Sequence, residues 1–171
     1  MGPPLRRRRA HLERQPNGTL ATELHGLTPG RALDVGAGEG ADAIWLAEHG
    51  WEVTANDISG NALAQLANEA ARRHLPIQVV RSDINEPSPF AAQTYDLVSL
   101  QYGSFTRTPD DRGLRNLLDA VAPGGTLLAV HHDLAAMREP VDVTTTTRLY
   151  DPDAYVGVDA IAAALRTDPQ T

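Results

Sequence analysis

Residues 32–59 read ALDVGAGEGADAIWLAEHGWEVTANDIS. An apolar run leads into a glycine-rich turn, an amphipathic stretch closed by Gly50, a second apolar run, and an acid, Asp57, where that run ends. The order strand, glycine turn, helix, strand, acid is half of a mononucleotide-binding α/β unit. Glycines let the backbone approach a ligand there, and the helix N-terminus offers it unpaired N–H groups.

Working outward, the same alternation continues. Residues 1–17 read as an irregular arm, and residues 18–171 as a single domain. A short helix is expected over Thr19–Gly26, capped near Asn17 or Thr19, with a first strand at Arg31–Val35. A first crossover helix spans Gly40–His49, a second strand Glu52–Asn56, and a long helix runs from its Ser59 cap to His74, before Pro76. Ile77–Arg81 and Tyr95–Leu100 are the third and fourth strands, the latter an apolar run of the kind buried in parallel sheets. A helix is expected over Pro109–Val121, a turn at Pro123-Gly124-Gly125, and a fifth strand over Thr126–His131. Residues 134–156 read as irregular, with no partner evident for Thr144–Thr147, and Val158–Arg166 reads as a last helix. Strands alternating with helices give a doubly wound, Rossmann-like parallel sheet.

Composition removes several chemistries. The 171 residues carry no cysteine, and all 15 basic residues counted as Lys+Arg are arginines. Disulfides, thiolate nucleophiles, cysteine–zinc sites, Schiff bases and a P-loop lysine are therefore excluded. A net charge of −7 argues against a nucleic-acid groove, and the run Arg6–Arg9 reads as a solvated tail. No apolar run approaches bilayer length and no signal peptide is visible, so the expectation is a cytoplasmic protein with no membrane partner.

The glycine turn is ambiguous alone. Gly36, Gly38 and Ala41 satisfy the dinucleotide fingerprint, and Asp57 lies where that fingerprint places its acid. Three details favour S-adenosylmethionine over a nicotinamide. Asp34 stands two residues before the first glycine, Gly40 adds a third alternate glycine, and Ser82-Asp83-Ile84 ends the third strand with an acid and an apolar residue. An adenine needs that last pair: an acceptor for its amine and an apolar surface for its face.

Together with Arg14-Gln15-Pro16-Asn17, YDLVSLQY and APGGTLLAVHHD, these stretches resemble the class I methyltransferases that use S-adenosylmethionine, and more narrowly their small tellurite-resistance-type actinobacterial branch. The resemblance implies that Asp34, Gly36, Ala37, Gly38 and Gly40 wrap the methionine part of the cofactor. It implies that Asp57, with Ile58 beside it, takes the ribose hydroxyls, that Asp83 takes the adenine amine, and that Ile84 packs on the ring. Leu100 and Gln101 would offer backbone carbonyls to the cofactor's ammonium group.

Ligands of an open parallel sheet lie beyond the carboxyl ends of its strands. The polar residues presented there are Gln101, Tyr102, Ser104, His131, His132 and Asp133. Adjacent strand residues point to opposite faces, so His131 and His132 are not expected to share a metal ion, and no metal site is expected. Tyr102, His131 and His132 are the candidates for acting on an acceptor. Trp45 and Trp51 read as packing residues.

The family's sheet ends in an antiparallel hairpin, whereas this sequence stops soon after its last helix. The expectation is a truncated five-stranded sheet whose fifth strand has an open edge, covered in a homodimer. The function expected is methyl transfer to a small-molecule acceptor. A silent S-adenosylmethionine-binding protein and a nicotinamide oxidoreductase are the alternatives.

Overall fold

The computed structural model describes residues 15–132 and 152–167. Its elements are α1 (Gly18–Glu23), β1 (Arg31–Val35), α2 (Ala41–Glu48), β2 (Glu52–Asp57), α3 (Gly60–Arg72), β3 (Gln78–Arg81), β4 (Tyr95–Gln101), α4 (Arg112–Asp119), β5 (Val121–Val130) and α5 (Val158–Thr167), with one 3-10 turn at Pro152–Ala154. The run Arg6–Arg9, Asp133 and Thr144–Thr147 lie outside the described residues. Among the described residues, no helix is long and apolar enough to cross a membrane.

Among the described residues, five parallel strands form one sheet in the order β3-β2-β1-β4-β5. Strand order reverses between β1 and β4, where loops leave the sheet in opposite directions and a crevice opens at the carboxyl ends. Two cores flank the sheet. Leu20 of α1 and Leu24 just past it, Leu46 of α2 and Leu66 of α3 pack with Ala32, Val53 and Leu97 on one face. Leu114 and Leu117 of α4 and Ile161 of α5 pack with Leu33, Val98 and Leu100 on the other. Leu33, Leu46, Leu66 and Leu97 are fully buried, each such side chain favouring folding by about 1.5–3 kcal/mol.

Local chemistry sets most boundaries. Ser59 caps α3 by accepting the Ala62 N–H, and Gly50 takes a φ of 88° just past α2. Several boundaries differ from the expectation: α1 closes at Glu23 rather than Gly26, and the starts of β5 and α4 also shift. β5 begins at Val121, so Pro123-Gly124-Gly125 lies inside the strand rather than before it. The register jumps from Tyr95↔Val121 to Leu97↔Thr126, and Gly124 absorbs the extra residues at a φ of 76°. Helix α4 starts at Arg112 because Thr108 Oγ1 accepts the Arg112 N–H and Asp111 is left-handed, with a φ of 47°. Asn17 precedes α1 but its side chain caps nothing there. It reaches α2 instead, where both oxygens of Asp42 accept from Asn17, its N–H at 2.7 Å and its Nδ2 at 2.6 Å. The end of the expected arm is thereby tied to the domain.

Candidate functional site

A cleft of about 480 Å³ opens at the carboxyl ends of β1, β2, β3 and β4. Its floor is made where Gly36 and Gly103 face each other, a Cβ on Gly36 coming within 3.3 Å of the Gly103 Cα. The glycine loop is held from below, as the Ala37 N–H donates to the Asn56 carbonyl at 2.9 Å. Gly36, Gly38 and Gly40 all have positive φ, of 70°, 56° and 88°. Their surroundings differ. A Cβ on Gly38 would meet nothing within 4 Å, whereas one on Gly40 would strike Leu66 Cγ at 2.3 Å. Gly38 thus leaves open space, and Gly40 serves the packing of α2 on α3.

Asp57 ends β2 with both carboxylate oxygens aimed. Oδ2 accepts the Gly38 N–H at 2.8 Å and Oδ1 accepts the Ser59 N–H at 2.7 Å. Each oxygen keeps a further acceptor site for a ligand hydroxyl. Next to it, Ile58 is 67% exposed, an unusual position for an aliphatic side chain, and Arg81 Nε donates to its carbonyl at 3.2 Å.

The loop after β3 supplies an acid beside a buried apolar residue. Asp83 is exposed and accepts the Asn85 N–H at 2.8 Å, while Ile84 is buried. Asn116 of α4 fixes this loop by donating to the Ile84 and Glu86 carbonyls at 2.7 and 2.8 Å. Asn85 Nδ2 donates to the Thr106 carbonyl at 3.3 Å, joining it to the segment after β4.

Asp34 lies beneath the loop and is 2% exposed. It accepts the Ala43 backbone N–H, and its Oδ2 has no partner among the described residues. Burial, then the charges of Asp42 and Asp57, hold its carboxyl well above the ordinary carboxylate range. Gln101 shares that side of the sheet, donating from Nε2 to Ser99 Oγ at 3.3 Å, and its Oε1 has no partner among the described residues.

Of the expected site residues, the cleft gathers Gly36, Asp57, Ile58, Asp83, Ile84 and Leu100. Asp34, Ala37, Gly38, Gly40 and Gln101 surround it without lining it. Tyr102, His131 and His132 also stand outside the lining. Tyr102 is left-handed at a φ of 54°, donates its N–H to the Val130 carbonyl at 2.7 Å, and brings its ring to 4.9 Å from that of His132. His131 is half-buried and its Nε2 has no partner among the described residues. Burial and the neighbouring His132 lower its pKa, which favours the neutral ring.

Sequence reasoning missed Asn56, Asn85, Phe105, Thr106 and Tyr155. Asn56 stands just before Asp57 and looks like an ordinary strand residue, yet its Nδ2 donates to the Val80 and Ser82 carbonyls at 3.2 and 3.1 Å, holding the ends of β2 and β3 together. Asn85 could have been read from its spacing, two residues after Asp83. Nothing local marks Tyr155.

These groups fit an adenosyl cofactor: an aimed carboxylate for a diol, an acid beside an apolar surface for adenine, and glycines that leave room. Over residues 32–125 the chain matches the family described as a methyltransferase domain.

The chain belongs to that family.

The family's cofactor is S-adenosylmethionine. Ribosomal RNA small subunit methyltransferase G of Burkholderia cenocepacia is 34% identical over 144 residues, covering 78% of this chain and 61% of that protein. Demethylmenaquinone methyltransferase of Beutenbergia cavernae is 34% identical over 104 residues, covering 60% of this chain and 41% of that protein. An S-adenosylmethionine-dependent methyltransferase of Clostridium acetobutylicum shares the fold, with a TM-score of 0.55 at 18% identity over 63% of this chain and 46% of that one. The chain spans about three fifths or less of the length of these curated relatives.

Proposed function

We propose that this methyltransferase-family chain binds S-adenosylmethionine in the cleft and transfers its methyl group to a small-molecule acceptor. The observation that carries the reading is Asp57, aimed at the cleft by the Gly38 and Ser59 N–H groups. When bound, the cofactor supplies an electrophilic methyl carbon on a sulfonium. That carbon would pass to the acceptor's lone pair, with the carbon–sulfur bond broken and S-adenosylhomocysteine left. In-line positioning carries most of such a reaction, contributing up to about 7–11 kcal/mol. The chain's own work is to hold the two ribose hydroxyls at Asp57, the adenine amine at Asp83 and the ring against Ile58 and Ile84. Tyr102 and His132 are assigned to the acceptor side. His131, whose burial favours the neutral ring, is the base in this reading for an acceptor that must lose a proton.

A small acceptor is supported by charge. Among the described residues, the lining includes Asp57 and Asp83 and no arginine. Arg72, Arg73, Arg112 and Arg115 are tied up in pairs with Glu48, Glu69 or Asp110. The tellurite-resistance-type branch remains our placement within the family, and the lack of cysteine fits work in the cytoplasm. The expected homodimer is likewise a proposal, supported by β5, which among the described residues is paired on one side only, by β4.

Calorimetric titration with S-adenosylhomocysteine tests the cofactor. Micromolar binding lost in Asp57→Ala is expected, and no binding by the folded chain overturns the reading. Transfer of labelled methyl is then compared between small hydroxylated or thiol acceptors and small-subunit ribosomal RNA. Labelling of the RNA alone overturns the small-molecule assignment, and binding without transfer to any acceptor identifies a silent binder. Light scattering at the mass of a monomer overturns the homodimer.

A further inference from the structure

One wall of the cleft comes from far along the chain. Tyr155 lines the cleft together with Ser104, Phe105 and Thr106. It is carried there by an antiparallel bridge to Thr106. Two backbone hydrogen bonds flank the bridge, from the Arg107 N–H to the Ala154 carbonyl at 2.8 Å and from the Val156 N–H to the Phe105 carbonyl at 3.0 Å. Successive residues of an extended segment point to opposite sides. Val156, 1% exposed, enters the core with Phe105 and Ile161, which leaves Tyr155 half-buried on the cleft side.

The position within the cleft is specific. Thr106, the bridge partner of Tyr155, also accepts the hydrogen bond from Asn85, two residues beyond Asp83. Tyr155 is thus linked through Thr106 and Asn85 to the loop that carries Asp83 and Ile84, and Ile58 lines the same cleft. Those aliphatic groups supply apolar surface, and an aromatic ring is the group that best adds to it against a planar purine. Tyr155 lies outside residues 32–125, over which the family match extends, so the match assigns it nothing.

We propose that Tyr155 closes the adenine end of the cleft and contacts the nucleoside half of the cofactor, making it a binding residue contributed by the segment before α5. This rests on the cofactor reading above. The probes are S-adenosylhomocysteine and 5′-methylthioadenosine, which share the nucleoside half, titrated into the wild-type chain and the Tyr155→Leu and Tyr155→Phe variants. Tyr155→Leu is expected to weaken both ligands about three- to tenfold and by the same factor, with Tyr155→Phe within about twofold of wild type. Wild-type affinity of a folded Tyr155→Leu for both overturns the proposal. Should Tyr155→Leu fail to fold, photolabelling of the wild-type chain with an 8-azidoadenosyl analogue decides. Label is expected on the tryptic peptide 149–166, and label absent from it overturns the assignment. A wild-type chain that binds neither ligand refutes the cofactor reading itself, whereas unchanged binding in the variants refutes only Tyr155.

Discussion

Asp57 and Gly38 are joined by a hydrogen bond of 2.8 Å from the glycine N–H to the carboxylate Oδ2. The acid at the end of β2 and the loop after β1 therefore form one unit. The carboxylate is aimed before any ligand arrives, which lowers the ordering cost of binding.

Replacing Asp57 by alanine removes both its acceptor role and this tie. Hydrogen bonds to a charged group are worth about 1.5–3 kcal/mol, so S-adenosylhomocysteine should bind at least ten- to a hundredfold more weakly in Asp57→Ala. Calorimetry reads this directly, and unchanged affinity would remove Asp57 from the site.

Asp34 should make stability depend on pH. Burial, then Asp42, hold its folded-state carboxyl well above the ordinary value. The folded chain thus keeps a proton that the unfolded chain releases, and stability falls as pH rises from about 4 toward the raised pKa. Asp34→Asn removes the titration. Its Tm is expected to exceed that of wild type at neutral pH, with a flatter decline from acid. Parallel Tm–pH curves for the two proteins would refute the assignment.

Gly40→Ala and Gly38→Ala should separate packing from access. A Cβ on Gly40 meets Leu66 at 2.3 Å, and the residue sits at a φ of 88°, so the variant should lose about 2–4 kcal/mol by denaturant unfolding. The open surroundings of Gly38 leave only the backbone strain, about 1–2 kcal/mol. Equal losses would contradict the contrast.

Asn116 should support binding without touching a ligand. Its Nδ2 holds the Ile84 and Glu86 carbonyls, so Asn116→Ala frees the loop that carries Asp83. Calorimetry should show S-adenosylhomocysteine bound about five- to twentyfold more weakly, in keeping with two hydrogen bonds of about 0.5–1.5 kcal/mol each, part of which falls on stability. Unchanged affinity would mean the loop is fixed by other means.

Much of this architecture is legible along the sequence because its cues are local. The run Arg31–Val35 coincides with β1, and glycine, serine and proline punctuate α2 and α3 within a residue or two. The start of β5 is not local: a Pro-Gly-Gly sequence reads as a turn, and only pairing with Tyr95 keeps it in the strand. The start of α4 was hidden because a left-handed Asp111 is invisible in its residue type. Within the site, Asp57, Asp83 and Ile84 stand at strand ends and can be read from their order. Tyr155 cannot, because a single bridge between distant segments leaves no periodicity to read.

That bridge also orders events in time. Loop closure becomes costlier with length, and contacts between distant segments form late when nearer ones suffice for a nucleus. β1, β2, β3 and their helices can assemble from neighbouring sequence, whereas the Thr106–Tyr155 contact must await the return of the chain. In refolding, sheet structure should therefore be regained before ligand affinity, the last gain in affinity coming as the segment around Tyr155 docks.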